Sequence, residues 1–205
     1  MAIKRLARRW LMPLAMISAL LACTTVPERE APDKVYNGRF SLKTSLSEGD
    51  GQHRSEHLSG RFTLSVARPW TELDLASPLG NTLARLHTGT HGAWLQLPDE
   101  DGGLRTLRDG HAQALSERVL GYPLPLEGLP WWIEGMPAPA RTPAQAARVH
   151  YADNGLPEHI EQDGWRIHIE ERFNTPDRPT PRRLQLTHSP RAGTALQLRV
   201  VIDAP

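Results

Sequence analysis

The chain has 205 residues, with 24 Lys and Arg against 23 Asp and Glu, nine His, six Trp and a single Cys. That length suits one mid-sized domain, and a lone Cys excludes an intrachain disulfide framework. A formal charge of +1 offers no basic surplus, which excludes nucleic acid as the expected partner.

The first residues, "MAIKRLARRWLMPLAMISALLAC", carry a basic start in Lys4, Arg5, Arg8 and Arg9, followed by 13 residues from Trp10 to Ala22 that are mainly apolar. A membrane-spanning helix needs about 20 such residues, so residues 1–22 are expected to be a cleaved secretory signal peptide. Cys23 follows "LLA", and the junction resembles the lipobox of bacterial lipoproteins, in which the cysteine receives the acyl chains. Each buried acyl CH₂ contributes about 0.8 kcal/mol, so two or three chains would anchor the protein to a membrane surface without a spanning segment. Thr24 stands where enterobacterial lipoproteins retained in the inner membrane carry Asp, and by that resemblance the anchor is expected in the outer membrane. Loss of the four basic side chains in residues 1–22 leaves 20 basic residues against 23 acidic ones, a formal charge of −3.

Residues 24–34, "TTVPEREAPDK", are polar, proline-bearing and without periodicity. With Cys23 they are expected to form a flexible tether to a domain at 35–205. Period-2 segments follow, beginning with "RFSLKTSL", which puts Phe40, Leu42 and Leu46 on one face, and "GRFTLSV", which does the same with Phe62, Leu64 and Val66. Between them lies a long polar stretch, "SEGDGQHRSEHLSG". Further strands are expected at "WTELDLAS", "NTLARLHT", "AWLQLPD", "LRTLRD", "ARVHYAD", "WRIHIEERF", "RRLQLTH" and "TALQLRVVID", each bounded by turn-forming residues.

Two segments interrupt this rhythm. In "DGHAQALSERVLG", Ala112, Leu115, Val119 and Leu120 recur at helical spacing ahead of Gly121, a candidate C-terminal cap. In "LEGLPWWIEGMPAP", Pro130 suits the first turn of a short helix bearing Trp131, Trp132, Ile133 and Met136, which Gly135 and Pro137 stop. Roughly ten antiparallel strands and two short helices indicate a mainly β chain, folded as a curved sheet or open barrel around an apolar cavity.

The segments "SGRFTL", "LDLASPLGNTLARL", "GYPLPLEGLPWWIEGMPAP" and "LPEHIEQDGWRIHIEERF" resemble the LolB family of outer-membrane lipoprotein receptors, in order and spacing across residues 36–202. The proline, glycine and tryptophan pattern of "PLPLEGLPWWIEGMPAP" is the most specific block. The resemblance implies an incomplete antiparallel barrel of eleven strands with a helical lid, akin to the soluble periplasmic carrier LolA. It implies a receptor, anchored in the inner leaflet of the outer membrane and facing the periplasm, that accepts lipoproteins from LolA, shelters their acyl chains and inserts them into the membrane. A monomer without cofactor is expected.

By the same resemblance, the loop Pro78, Leu79 and Gly80 is the membrane-insertion device, with Leu79 exposed. Pro78 fixes one backbone angle and Gly80 permits a positive one, so the turn can hold Leu79 outward. Acyl chains of varied length need only a non-directional apolar lining. Phe40, Leu42, Phe62, Leu64, Leu73, Leu75, Leu95 and Ile167 of the strands, with Trp131 and Ile133 of the lid, are the candidates; period 2 alone does not separate cavity wall from filled core.

No catalytic or metal constellation is expected. His87 and His91 lie four apart in "HTGTHG", read as solvated turn residues, and a metal pair at that spacing needs a helix. His168 alternates with Ile167 and Ile169 and so faces away from the core. Nucleophile-elbow, P-loop and dinucleotide-glycine patterns are absent. Two alternatives stay open: a structural envelope lipoprotein that scaffolds a complex, and a periplasmic acyl-ester hydrolase. A scaffold needs no hollow interior, whereas a hydrolase would turn over acyl esters.

Overall fold

The computed structural model describes residues 31–47, 53–175 and 179–204. The expected signal peptide, Cys23 and the tether up to residue 30 lie outside these described residues. The chain order is β1 (Lys34–Ser47), β2 (His53–Val66), β3 (Thr71–Ala76), β4 (Thr82–Gly89), β5 (Gly92–Pro98), β6 (Leu104–Asp109), α1 (Ala112–Leu120) and α2 (Leu129–Trp132). A 3₁₀ turn at Pro143–Gln145 then leads to β7 (Arg148–Tyr151), β8 (Pro157–Gln162), β9 (Trp165–Arg172), β10 (Pro181–His188) and β11 (Thr194–Ile202).

All eleven strands join one sheet in the order β6-β5-β4-β3-β2-β1-β11-β10-β9-β8-β7. Every neighbouring pair is antiparallel. The sheet is open, with β6 and β7 at its edges. Leu95 of β5 and Ile160 of β8 stand near opposite edges, yet both belong to one buried cluster with Leu115 of α1 and Trp132 of α2. A flat sheet cannot bring those strands into one core; the sheet curls, and the helical segments fill its concave side.

At the centre of that curve, Gly38 of β1 pairs with Phe62 of β2, and Phe40 pairs with Gly60. The ring of Phe62 lies 2.6 Å from where a Cβ on Gly38 would stand, and that of Phe40 lies 3.1 Å from the same point on Gly60. The two "GRF" triplets thus place each ring over the glycine of the other strand. Such close approach is a positional use of glycine within strands.

Three features differ from the sequence reading. Most of "SEGDGQHRSEHLSG" is strand: β2 begins at His53, and the β1–β2 ladder runs from Lys34↔Val66 to Ser47↔His53. Polar residues extend a hairpin there because ladder hydrogen bonds satisfy the backbone while the side chains remain exposed. β8 has no counterpart among the ten period-2 segments, since in "PEHIEQ" only Ile160 is both apolar and buried. β1 takes in Lys34, so the tether is one residue shorter than its composition indicates. In the proline-rich stretch before β10, the Phe173 N–H donates to the Thr180 carbonyl at 2.9 Å; residues 176–178 lie outside the described residues.

The C-terminal end is secured by Ile202 pairing with Gly38 and by the Asp203 N–H donating to the Asn37 carbonyl at 2.9 Å. β11 therefore closes onto β1 along its whole length.

Candidate functional site: the lid, its pocket and the Leu79 turn

The lid begins where Gly121, in the left-handed region at φ 83°, caps α1 through its N–H to the Glu117 carbonyl. Glycine takes that conformation without a Cβ penalty. The segment then turns back over the sheet, with the Leu124 N–H held by Ser116 Oγ at 2.9 Å and the Ser116 hydroxyl donating to the Gln113 carbonyl at 2.9 Å. Leu124, Leu126, Leu129, Trp132 and Ile133 are all buried. Gly128 is needed beneath the Trp132 ring, which lies 2.3 Å from where a Cβ would stand.

Trp132 also fastens the lid to β8. Its Nε1–H donates to Gln162 Oε1 at 3.1 Å, and the same oxygen accepts from the Ala138 N–H at 2.8 Å. Gln162 Nε2 donates to the carbonyls of Ala138 at 2.8 Å and Gln145 at 3.1 Å. The buried carboxamide thus makes two bonds as acceptor and two as donor. At the other side of the lid, Glu134 accepts from Lys34 Nζ at 2.9 Å and from the Tyr36 hydroxyl.

Beneath the lid lies an apolar pocket of about 30 Å³, walled by Phe40, Leu42, Leu58, Phe62, Leu73 and Leu75 of β1 to β3 and by Leu198 and Val200 of β11. Tyr122, Leu124, Pro125 and Leu129 close it. Five of the ten residues expected to line an acyl cavity, Phe40, Leu42, Phe62, Leu73 and Leu75, meet here. Leu64, Leu95, Ile133 and Ile167 are at most 1% exposed and pack in the continuous core instead of facing the pocket.

Trp131 departs from expectation: it is 39% exposed while Trp132 is 1% exposed. Neighbours on a helix diverge by about 100°, and the inward place belongs to Trp132. Trp131 instead borders a separate outer groove of about 450 Å³ with Tyr36, Trp70 and Glu134.

The expected wide cavity is therefore closed in this conformation. A volume of 30 Å³ holds roughly one or two water-sized spheres, and an acyl chain needs far more. The reason is physical: an empty apolar void forfeits dispersion contacts along its lining, so the leucines of the lid settle into it.

The β3–β4 connection presents the second feature. The Gly80 N–H donates to the Ser77 carbonyl at 2.9 Å, the Ser77 N–H to the Asn81 carbonyl at 2.8 Å, and the Asn81 N–H to Ser77 Oγ at 3.2 Å. Pro78 occupies the second position of this turn and Gly80, at φ 90°, the fourth, the places those residues favour. Pro78, Leu79 and Gly80 are all exposed. Leu79, held at the third position, is 90% exposed, against 64% or less for the other large exposed hydrophobic residues described.

The outer face holds two side-chain groups built around histidine. His87 is a strand residue, correcting the reading of it as a solvated turn group, because only residues 90 and 91 separate β4 from β5. Its ring stacks between Trp70 and Trp94, with centroids 5.9 and 4.9 Å away, and Nδ1 lies 3.4 Å from Glu72 Oε2. Arg85 joins the same patch by a hydrogen bond to Asp74, which, with the Asp74 and Glu72 charges, holds its guanidinium above its ordinary pKa against the opposing effect of burial.

The second cluster unites Glu158, His159 and His168, whose candidate ligand atoms all lie within 4.8 Å of one another. His91 remains an exposed turn residue.

The family model and the sequence relatives agree on one family. A family model described as "Outer membrane lipoprotein LolB" matches residues 35–204. The chain is 33% identical to the outer-membrane lipoprotein LolB of Cupriavidus metallidurans, with 97% of each chain covered. It is 32% identical to the LolB of Thiobacillus denitrificans, covering 96% of this chain and 97% of that one. Among solved structures, a LolA-superfamily protein from Nitrosomonas europaea superposes with a TM-score of 0.41 at 11% identity, covering 85% of this chain and 89% of the other.

Proposed function

The chain belongs to the LolB family of outer-membrane lipoproteins, and on that premise we propose that it receives acylated lipoproteins from the periplasmic carrier LolA and passes them into the outer membrane. In this reading residues 1–22 are removed, Cys23 is acylated, and the residues up to Asp33 tether the domain to the inner leaflet with its working face in the periplasm. The protein acts as a monomer, by binding and release, without cofactor or catalytic step.

The observation that carries the reading is Leu79, a large apolar side chain at 90% exposure on a turn closed by its own hydrogen bonds. Burying a leucine contributes about 1.5 to 3 kcal/mol. That orients the domain on lipid but does not anchor it, which is the role of the acylated Cys23. The pocket under the lid supplies the complementary part: Phe40, Leu42, Phe62, Leu73 and Leu75 already face it, and outward movement of Leu124 and Leu129 enlarges it along an apolar wall. A passive hand-over runs only downhill, so affinity for the cargo must rise from carrier to receptor to membrane.

The test is transfer in two steps. Cargo moves from loaded LolA to the protein, and then from the protein to liposomes, without nucleotide. Capture of cargo by the unmodified protein is the expected result. Absence of capture, with the protein folded, overturns the receptor reading and leaves the scaffold; ester turnover would instead identify a hydrolase.

A further inference from the structure

We propose that Glu158, His159 and His168 form a binding site for a divalent transition-metal ion of the zinc type on the outer face of β8 and β9. The site arises from two local features. Asp163 at φ 51° and Gly164 at φ 77° form a two-residue turn in the left-handed region, which fixes hairpin register. That register sets Gln162 opposite Trp165 and therefore His159 opposite His168. The rings stack with centroids 4.4 Å apart and planes 16° from parallel.

The carboxylate comes from an irregularity. Along β7, His150 and Tyr151 are consecutive, but their partners on β8 are His159 and Pro157. Glu158 is the extra residue, and such a bulge re-aims side chains that strict alternation would send to opposite faces. Glu158 Oε2 consequently lies 3.9 Å from His159 Nε2.

Two imidazoles and a carboxylate suit zinc and its neighbours better than magnesium or calcium, which favour sets made wholly of oxygen. Around a tetrahedral zinc ion the donor atoms stand about 3.4 Å apart. The present donors, all within 4.8 Å, reach that spacing by side-chain rotation, for Glu158 and His159 are exposed and His168 half-buried. His150 is the register partner of His159 on edge strand β7 and is exposed, but it is not one of the three donors that lie within 4.8 Å of one another. Of the two neighbouring cations, Arg148 lies 3.9 Å from Glu161, which is also the register partner of Arg166.

The site is independent of the acyl pocket, since His168 faces away from the buried Ile167 and Ile169. It nonetheless bridges β8, the strand whose Gln162 holds the lid. A metal that binds only the folded chain raises its stability by mass action.

The full chain, purified in detergent without a polyhistidine tag and stripped with chelator, is titrated with zinc chloride by calorimetry and with cobalt(II) by visible absorption. One ion per chain is expected, with a rise in melting temperature that magnesium does not reproduce. His159→Gln and His168→Gln should each weaken zinc binding at least about tenfold, while His91→Gln leaves it unchanged. Absence of saturable zinc binding up to about 1 mM, or binding that survives both His159→Gln and His168→Gln, overturns the proposal. Since all three substituted side chains lie outside the core, unchanged circular dichroism of each variant separates loss of the site from loss of the fold.

Discussion

The indole nitrogen of Trp132 donates to the side-chain oxygen of Gln162 at 3.1 Å, joining the lid helix to strand β8 through the only buried carboxamide among the described residues. Replacing Gln162 by Leu leaves the Trp132 N–H and three backbone groups without their partner. A buried polar group left unmade costs about 1 to 3 kcal/mol. The lid should open more readily, so Gln162→Leu is expected to lower the melting temperature and to increase binding of a fluorescent fatty-acyl probe. Unchanged stability with unchanged probe binding would show that this contact does not govern the lid.

The crossed glycine–phenylalanine pairs make a sharper stability prediction. A Cβ on Gly60 would lie 2.0 Å from the Ala76 carbonyl oxygen, and backbone cannot yield as a side chain does. Overpacking of this kind typically costs 1 to 3 kcal/mol, so Gly60→Ala should reduce the urea midpoint by a corresponding amount. The same substitution at Gly102, where an added Cβ meets nothing within 4 Å, is free of the clash; its φ of 80° isolates the backbone cost alone.

Tyr122 at the pocket rim carries a pH signature. Burial, and secondarily the Glu56 charge, hold its hydroxyl above the ordinary pKa of 10.0. The folded state therefore retains the proton where the unfolded chain loses it. That contribution is complete below pH 10.0 and is lost as pH rises through the higher folded value. Melting measured from pH 9 to pH 12 should fall more steeply for the native protein than for Tyr122→Phe; parallel curves would refute the assignment.

Much of this was legible in the residues because local patterns and the fold agree. Gly121 caps α1, and Pro130 opens α2, as their chemistry dictates. "SPLGN" contains the turn that holds Leu79 out, since proline and glycine occupy positions that select the turn. What escaped depended on pairing between distant or irregular elements. The polar face of β8 hides it, and nothing near His87 in the sequence announces that Trp70 and Trp94 enclose its ring. The two tryptophans of α2 alternate faces, but which one is buried follows only from Gln162, 30 positions further along. The Glu158, His159 and His168 cluster required both the Asp-Gly turn register and a bulge that no periodicity reveals.

The most direct test of the account separates uptake from delivery. The chain from Thr24 to Pro205 is compared with its Leu79→Glu variant, scoring lipoprotein taken from loaded LolA and lipoprotein passed to liposomes as two quantities. Leu79 touches neither lid nor pocket, so the account predicts normal uptake and a collapse of delivery. Delivery equal to that of the unmodified protein would contradict it, reducing the exposed leucine to an ordinary turn residue.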